Sequence, residues 1–324
     1  MAKTTSVIIR AFNEEVHIPR PLHGLQQQSI KPNEIILVDS GSTDRTPIIA
    51  KSFGVEVIFI AKQNFTFGRA LNLGCSRATG EILLFLSAHV YPLNTNWLEL
   101  MIMPFQDKKV VCTFGKQRGD ESTKFSEHQI FAAWFPESTE AIETPYFCNN
   151  ANCAIRRDTW LKNPYDEQIT GLEDLAWAKV QHRKMHEIKY VPEATVVHIH
   201  NESWTQIRNR YRREALALKK IEPEMQMSIM QMGRLILWSI ALDFVAAIRQ
   251  KNVLSNTVEI VLFRINQYFG SFQGFNSEDV EIAKLRHTFY YPRRKESISP
   301  SKSQWNAKSQ PQQNTPSSVN YENF

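Results

Sequence analysis

Five short stretches of the chain carry side chains suited to binding or transforming a polar ligand. The first is Val38-Asp39-Ser40-Gly41-Ser42-Thr43-Asp44, an acid at the end of an apolar run followed by small, turn-forming residues. Such a segment reads either as a helix N-cap or as a nucleotide pocket in which Asp39 accepts a hydrogen bond from a base N–H. Asn13-Glu14, after an earlier apolar run, strengthens the second reading. The second stretch is Ser87-Ala88-His89 and the third is Glu173-Asp174, which opens a helical pattern and otherwise serves the helix dipole. The fourth is Val197-His198-Ile199-His200, where strand alternation puts both imidazoles on one face, followed by Arg208, Arg210, Arg212 and Arg213. These arginines either line a solvated helix face or face an anion. The fifth holds Asn149, Asn150 and Asn152, amides that are costly to bury unbonded and that suit a hydroxyl-rich ligand. Cys148 and Cys153, in the same stretch, read as small packing groups.

The elements that must position these residues follow from the apolar pattern. Ser6–Ile9, Ile35–Val38, Val55–Ile60 and Ile82–Leu86 read as short buried strands, with Val110–Phe114 a fifth. Helical patterns run through Ile18, Leu22 and Leu25, and over Gly68–Ala78. Strands alternating with helices predict a parallel α/β sheet, and such sheets bind ligands at the carboxyl ends of their strands. Asn13-Glu14, Asp39–Asp44 and Ser87–His89 all fall there. Farther on, Cys153–Ile155, Ile188–Val191 and Thr195–Ile199 read as short strands, and Glu173–Met185 and Trp204–Ile221 as helices. Met225–Ile248 and Val258–Phe269 are apolar and helical.

Taken in order, Ser6–Glu15 and Ile36–Asp44, then Gly68–Gly74, Ala78–Glu81 and Thr170–Asp174, resemble family 2 glycosyltransferases over roughly residues 5–215. The resemblance implies an inverting enzyme with a GT-A fold, a Rossmann-like mixed sheet of the nucleotide-diphospho-sugar transferases. It implies that Asp39 meets the base and that Asn13, Glu14 and Arg69 border the nucleotide. Where that family carries an Asp-x-Asp motif for a divalent cation on the donor diphosphate, this chain has Ser87-Ala88-His89, as a rhamnosyltransferase-like variant without the carboxylates. His89 then reads as a cation or diphosphate contact, or as a histidine that only hydrogen-bonds. A histidine late in GT-A domains often completes the cation site, which brings in His198 or His200. The implied cofactor is Mg²⁺ or Mn²⁺. The acidic pair supplies the base by resemblance, with Asp174 taking the acceptor proton and Glu173 orienting the acceptor. Ser87, Asn150, Arg212 and Arg213 complete the expected donor contacts. A non-catalytic relative acting as a scaffold is the alternative.

Composition limits the rest. The 324 residues are 42% hydrophobic and 22% charged, an ordinary globular balance. Residues 1–203 carry 21 basic and 23 acidic residues, and residues 204–324 carry 17 and 10. A surplus confined to the last third argues against a nucleic-acid partner. The expected partners are a nucleoside-diphosphate sugar, a glycan or lipid-linked acceptor, and an anionic membrane surface. Leu235–Ile248, interrupted by Asp243, is short for a span and suits a buried or interfacial helix. The expected organisation is a catalytic domain over 1–221, a helical extension over 222–292 and a disordered tail over 293–324. Four cysteines without a paired framework and an N-terminus without a signal core give a cytoplasmic expectation, peripheral on the inner membrane face.

Overall fold

The computed structural model describes residues 3–142 and 144–277, so the expected tail and the end of the extension lie outside the described residues. Eight strands form one sheet: β1 (Thr5–Ala11), β2 (Glu34–Asp39), β3 (Glu56–Phe59), β4 (Ile82–Ser87), β5 (Val90–Pro92), β6 (Val110–Arg118), β7 (Asn152–Arg156) and β8 (Glu187–His198). The helices are α1 (Pro19–Gln26), α2 (Thr46–Ser52), α3 (Phe67–Arg77), α4 (Trp97–Ile102), α5 (Phe125–Trp134), α6 (Arg157–Lys162), α7 (Glu173–Arg183), α8 (Trp204–Ile221), α9 (Ile229–Arg249) and α10 (Val253–Phe275).

The strand order is β3-β2-β1-β4-β7-β6-β8-β5. The half built from β3, β2, β1 and β4 is parallel. Beyond β4 the sheet turns mixed: β7 runs antiparallel to both β4 and β6, and β5 antiparallel to β8. The all-parallel expectation from alternation is thus corrected, and the mixed GT-A sheet is what forms. The reason lies between β6 and β7, where α5 and a long connection return the chain in the opposite direction. Side chains alternate between two cores. Val7, Ile9, Leu84 and Leu86 pack with α1 and α4 on one face, while Ile8, Leu83, Phe85 and Phe114 pack with α3 and α7 on the other.

β8 is a single strand where two were expected, because Pro192 and Glu193 only offset its register against β6 between Gly115 and Gln117. Its end pairs with β5, Val90 opposite His198, and the Ile199 N–H donates to the His89 carbonyl. This pairing delivers His89 to His198 and His200. The last helices are not a detached appendage: Gly270 and Gly274 lie where a Cβ would strike the Arg208 and Arg212 carbonyls, so α10 sits directly on α8. Asp243 of α9 pairs inside with Arg264 of α10 at 2.7 Å and accepts from Ser126 of α5 at 2.6 Å. α9 is 21 residues long and apolar enough to cross a membrane by length and composition, with only 11% of its most apolar window buried. The reading that this segment is too short for a span is therefore corrected by its length; Asp243 turns inward beside Ile240, Phe244 and Ala247, while Leu237, Trp238 and Leu242 stay exposed.

Candidate active site

At the carboxyl end of β2, Asp39 is buried and its Oδ2 accepts from the Gly41 and Ser42 N–H groups at 3.0 and 2.9 Å. Gly41 takes a positive φ of 88°, which lets the turn close. Asn13, itself at φ 54°, locks onto that turn: its N–H donates to Ser42 Oγ and its Oδ1 accepts from the Thr43 N–H. Glu14 and Glu15 N–H groups reach Thr46 Oγ1 and Asp44 Oδ2. A local turn thus accounts for one Asp39 oxygen, and the helix-capping reading is corrected, since α2 begins only at Thr46. The other, Oδ1, is buried with no hydrogen-bond partner among the described residues. A buried carboxylate oxygen left unbonded is costly, and a ligand N–H is what would satisfy it.

The acidic pair opens α7 behind Leu172, a non-glycine residue at φ 54°. Asp174 is buried, and its oxygens accept from the Asn150 and Leu175 N–H groups, each at 2.8 Å. Burial, then the Glu173 and Cys148 charges, push its carboxyl well above the ordinary range, against the pull of those two N–H groups. Glu173 Oε1 meets Arg10 Nη1 at 2.9 Å and Asn150 Nδ2 at 3.4 Å. The guanidinium groups of Arg10 and Arg213 each stand over the Phe67 ring, at 4.8 and 4.9 Å.

The histidines form a third group. One ring nitrogen from each of His89, His198 and His200 lies within 4.8 Å of the others. His89 stacks on His198 with ring centroids 5.1 Å apart. Each ring is held from behind through Nδ1: His89 by Glu14 Oε1 at 3.2 Å, His198 by Gln117 Oε1 at 2.7 Å and His200 by Glu127 Oε1 at 2.8 Å. Burial, then the neighbouring His200, His89 and Arg210, hold the His198 ring well below the ordinary histidine range, so it is neutral. Burial works to raise Glu127, but Arg210, 2.7 Å away, and His200 outweigh it and keep that carboxyl far below its ordinary range.

Several expected residues stand elsewhere. Asn150 is buried and spent on the acidic pair and on Tyr165, and Asn152 on the Lys116 and Ala194 carbonyls and Trp97. These amides hold the acidic pair and the sheet from within the chain. Arg69 pairs with Glu167 at 2.7 Å, and Arg212 reaches Ser277 at the end of α10, while Arg213 one position on turns to Phe67. The arginine cluster therefore splits over several faces, since successive helical residues point about 100° apart. Ser87 ends β4 opposite Arg10. Arg10, Gln117 and Glu127 were not singled out in the sequence. Arg10 breaks an apolar strand at its carboxyl end, and Glu127 sits three and four residues before Ile130 and Phe131 on the buried face of α5, so both carried a signal. Cys112, Cys148 and Cys153 gather within 4.8 Å as buried free thiols, which their spacing in the sequence hides.

This layout gathers the Asp39 turn, the three histidines and the acidic pair around the carboxyl ends of β1, β2 and β4. The pattern that defines Glycosyl transferase family 2 matches residues 6–168, just over half of the chain. The chain belongs to glycosyl transferase family 2. The O-antigen chain rhamnosyltransferase WbaN of Salmonella anatum is 29% identical over 203 residues, covering 58% of this chain and 64% of that protein. The O-antigen chain rhamnosyltransferase RfbN of Salmonella typhimurium is 23% identical over 209 residues, covering 60% and 66%. The matches thus span just under two thirds of these relatives' own lengths. Among solved structures, a mannosyltransferase of Pyrobaculum calidifontis, PcManGT, in complex with GDP-Man and Mn²⁺, superposes with a TM-score of 0.56 at 16% identity, covering 90% of this chain and 89% of that one. That likeness shows the GT-A fold. The family match ends before Glu173 and Asp174.

Proposed function

We propose that this glycosyltransferase moves a sugar from a nucleoside-diphosphate donor to a hydroxyl of a glycan or lipid-linked oligosaccharide, with inversion at the anomeric carbon. The supporting observation is Asp174, a buried carboxyl whose raised pKa makes its ionised form a stronger base than an ordinary aspartate, beside an orienting Glu173. The base accepts the acceptor proton as the hydroxyl oxygen bonds to the anomeric carbon. The bond from that carbon to the diphosphate oxygen breaks with its electron pair, in one in-line displacement. Arg10 fixes Glu173, and Asp39 Oδ1 faces the base. Asn13 and Glu14 shape the nucleotide turn, and Ser87, Arg69, Arg212 and Arg213 are its outer candidates. His89, His198 and His200 would hold a divalent cation, which offsets the charge gathering on the leaving diphosphate. The Salmonella relatives are rhamnosyltransferases, which favours a deoxyhexose donor and a cell-envelope polysaccharide acceptor.

A thermal-shift screen with common nucleoside-diphosphate sugars identifies the donor, because a ligand that binds only the folded chain raises its melting temperature. Transfer with that donor, followed by determination of the product anomer, then tests the mechanism. A retained anomeric configuration overturns the single displacement. Donor binding with neither transfer nor donor hydrolysis instead supports a scaffold.

The outward face of α9 adds a place of action at the cytoplasmic side of a membrane. Met230, Leu237, Trp238, Leu242, Val245 and Ile248 are exposed there, with Arg234 and Arg249 as basic neighbours. This is the composition of a helix lying on an anionic lipid surface. The full chain should co-sediment with anionic vesicles more than with neutral ones, and Leu237→Glu with Trp238→Glu should abolish the difference. Equal sedimentation of both proteins sinks this part of the reading.

A further inference from the structure

The hydrogen positions of the three histidines are fixed by their partners. The Ala151 N–H donates to Asn149 Oδ1, so that atom is the amide oxygen, and Gln117 Nε2 donates to it at 3.1 Å. Gln117 therefore turns its own oxygen to His198, whose Nδ1 must carry the hydrogen. Glu127 and Glu14 are acceptors, so His200 and His89 likewise carry theirs on Nδ1. The acceptor nitrogen of each ring is then Nε2. Yet His200 Nε2 and His198 Nε2 stand 2.8 Å apart. Two facing lone pairs at that distance repel, and a positive centre between them is what the geometry asks for. Two imidazole nitrogens bound to one cation at roughly 2.0–2.1 Å stand about 2.9 Å apart at a right angle and about 3.3 Å apart at a tetrahedral one.

We propose that His89, His198 and His200 form a three-imidazole site for one borderline transition cation, of the Zn²⁺, Co²⁺ or Ni²⁺ class, and that this site discriminates against Mg²⁺. The inference rests on the donor-diphosphate reading and narrows it, since Glu14 joins His89 to the turn that follows Asp39. Mg²⁺ demands oxygen ligands, and Ser87-Ala88-His89 offers no carboxylate in the stretch where such ligands were expected. Imidazole instead suits the later divalent metals. Each ring has an oxygen acceptor on its far nitrogen, the arrangement that orients histidine ligands and raises their basicity. Glu14, Gln117 and Glu127 are the positioning residues. The shell is assembled from β6, β8, α5 and the ends of β1 and β4, so it is a built site and not a surface coincidence. A proton shared between His198 and His200 is the competing account, and it leaves His89 without a role.

The test uses the metal-free full chain and the metals alone. Titration with Co²⁺ should give a visible ligand-field spectrum saturating at one equivalent and should raise the melting temperature. Zn²⁺ should displace that spectrum, and a large excess of Mg²⁺ should leave it in place. His198→Ala should abolish the spectrum. His89→Asn, at a ring that is 30% exposed and so tolerant of change, should weaken Co²⁺ binding without unfolding the chain. Glu14→Gln should lower affinity by about 10- to 100-fold through loss of ring orientation. No Co²⁺ spectrum in the wild type, displacement by Mg²⁺, or equal Co²⁺ binding in both histidine variants would overturn the site. The two proposals fail separately. Co²⁺ binding without any sugar transfer removes the enzymatic reading and keeps the site, whereas transfer supported by Mg²⁺ with no Co²⁺ or Zn²⁺ binding does the reverse.

Discussion

Asp174 of α7 and Glu127 of α5 are both buried carboxyls, and they behave oppositely. Asp174 faces N–H groups, a second acid and a thiol, and is pushed up. Glu127 faces Arg210 and His200 and is pushed down. Burial is common to both, so the sign is set by which charges stand nearby. The lesson is a division of labour. Glu127 is a permanent anion that anchors an imidazole and a guanidinium. Asp174, pushed the other way, is the group proposed to take the acceptor proton, and acids driven apart in this way fit such an assignment.

The largest expected effect separates the two acids by chemistry. Asp174→Asn should lower transfer by about 10²- to 10⁴-fold while donor binding, read by calorimetry, is kept. Equal transfer by wild type and variant would remove Asp174 from the mechanism. Next comes stability. Glu127→Ala leaves Arg210 and His200 around an empty place and should cost about 3–5 kcal/mol in urea unfolding, because a buried charge loses its partner. Asp174→Asn should cost far less, and at alkaline pH it should melt no lower than the wild type.

The pH dependence sharpens the contrast. Asp174 is raised in the folded state, so its share of stability is complete below the ordinary carboxylate range and is lost as pH rises through its folded value. Glu127 is lowered, so its share is complete above that range and is lost as pH falls through its folded value. The transfer rate should fall on the acid side with a midpoint above the ordinary carboxylate range, as Asp174 takes up its proton. The groups facing Asp174 there are Glu173, Cys148 and the N–H groups of Asn150 and Leu175, with Arg10 on Glu173. A midpoint in the ordinary range would show that another acid limits the rate. The smallest effect concerns placement. Asp174 depends on Leu172 at φ 54°, whereas Glu127 sits in a regular helix. Leu172→Gly should change stability by less than about 1 kcal/mol, the relief of strain roughly offsetting the added chain freedom. Leu172→Val should destabilise more, since a β-branched residue resists that conformation.

The parts of this arrangement that are local were legible beforehand. The β1, β2 and β4 strands are buried on both faces and so read as unbroken apolar runs, and the Asp39 turn is specified by its own small residues. α8 runs over Trp204–Ile221 as its pattern predicts. β5, three residues long, leaves no periodic trace. Pro192 hides the continuity of β8, because a proline inside a strand pattern argues for a break. His198 and His200 could be put on one face by alternation, but the shell behind them could not. Gln117 and Glu127 reach them across 81 and 73 residues, and nothing local announces that. The asparagines show the same limit: Asn150 bonds Glu173 and Asn152 bonds the Ala194 carbonyl, partners distant in sequence that nothing local announces.

Ser126 and Glu127 are neighbours on one turn of α5, yet they serve different clients. Ser126 is tied to Asp243 in the α9–α10 helix pair, and Glu127 to His200. Thermodynamic coupling is reciprocal, so a shift of Asp243 that changes cation affinity obliges the cation to change the energetics of that shift by the same amount. Under the two proposals above, a chain docked through α9 and a chain free in solution would hold the cation with different firmness, and metal content would become a readout of docking.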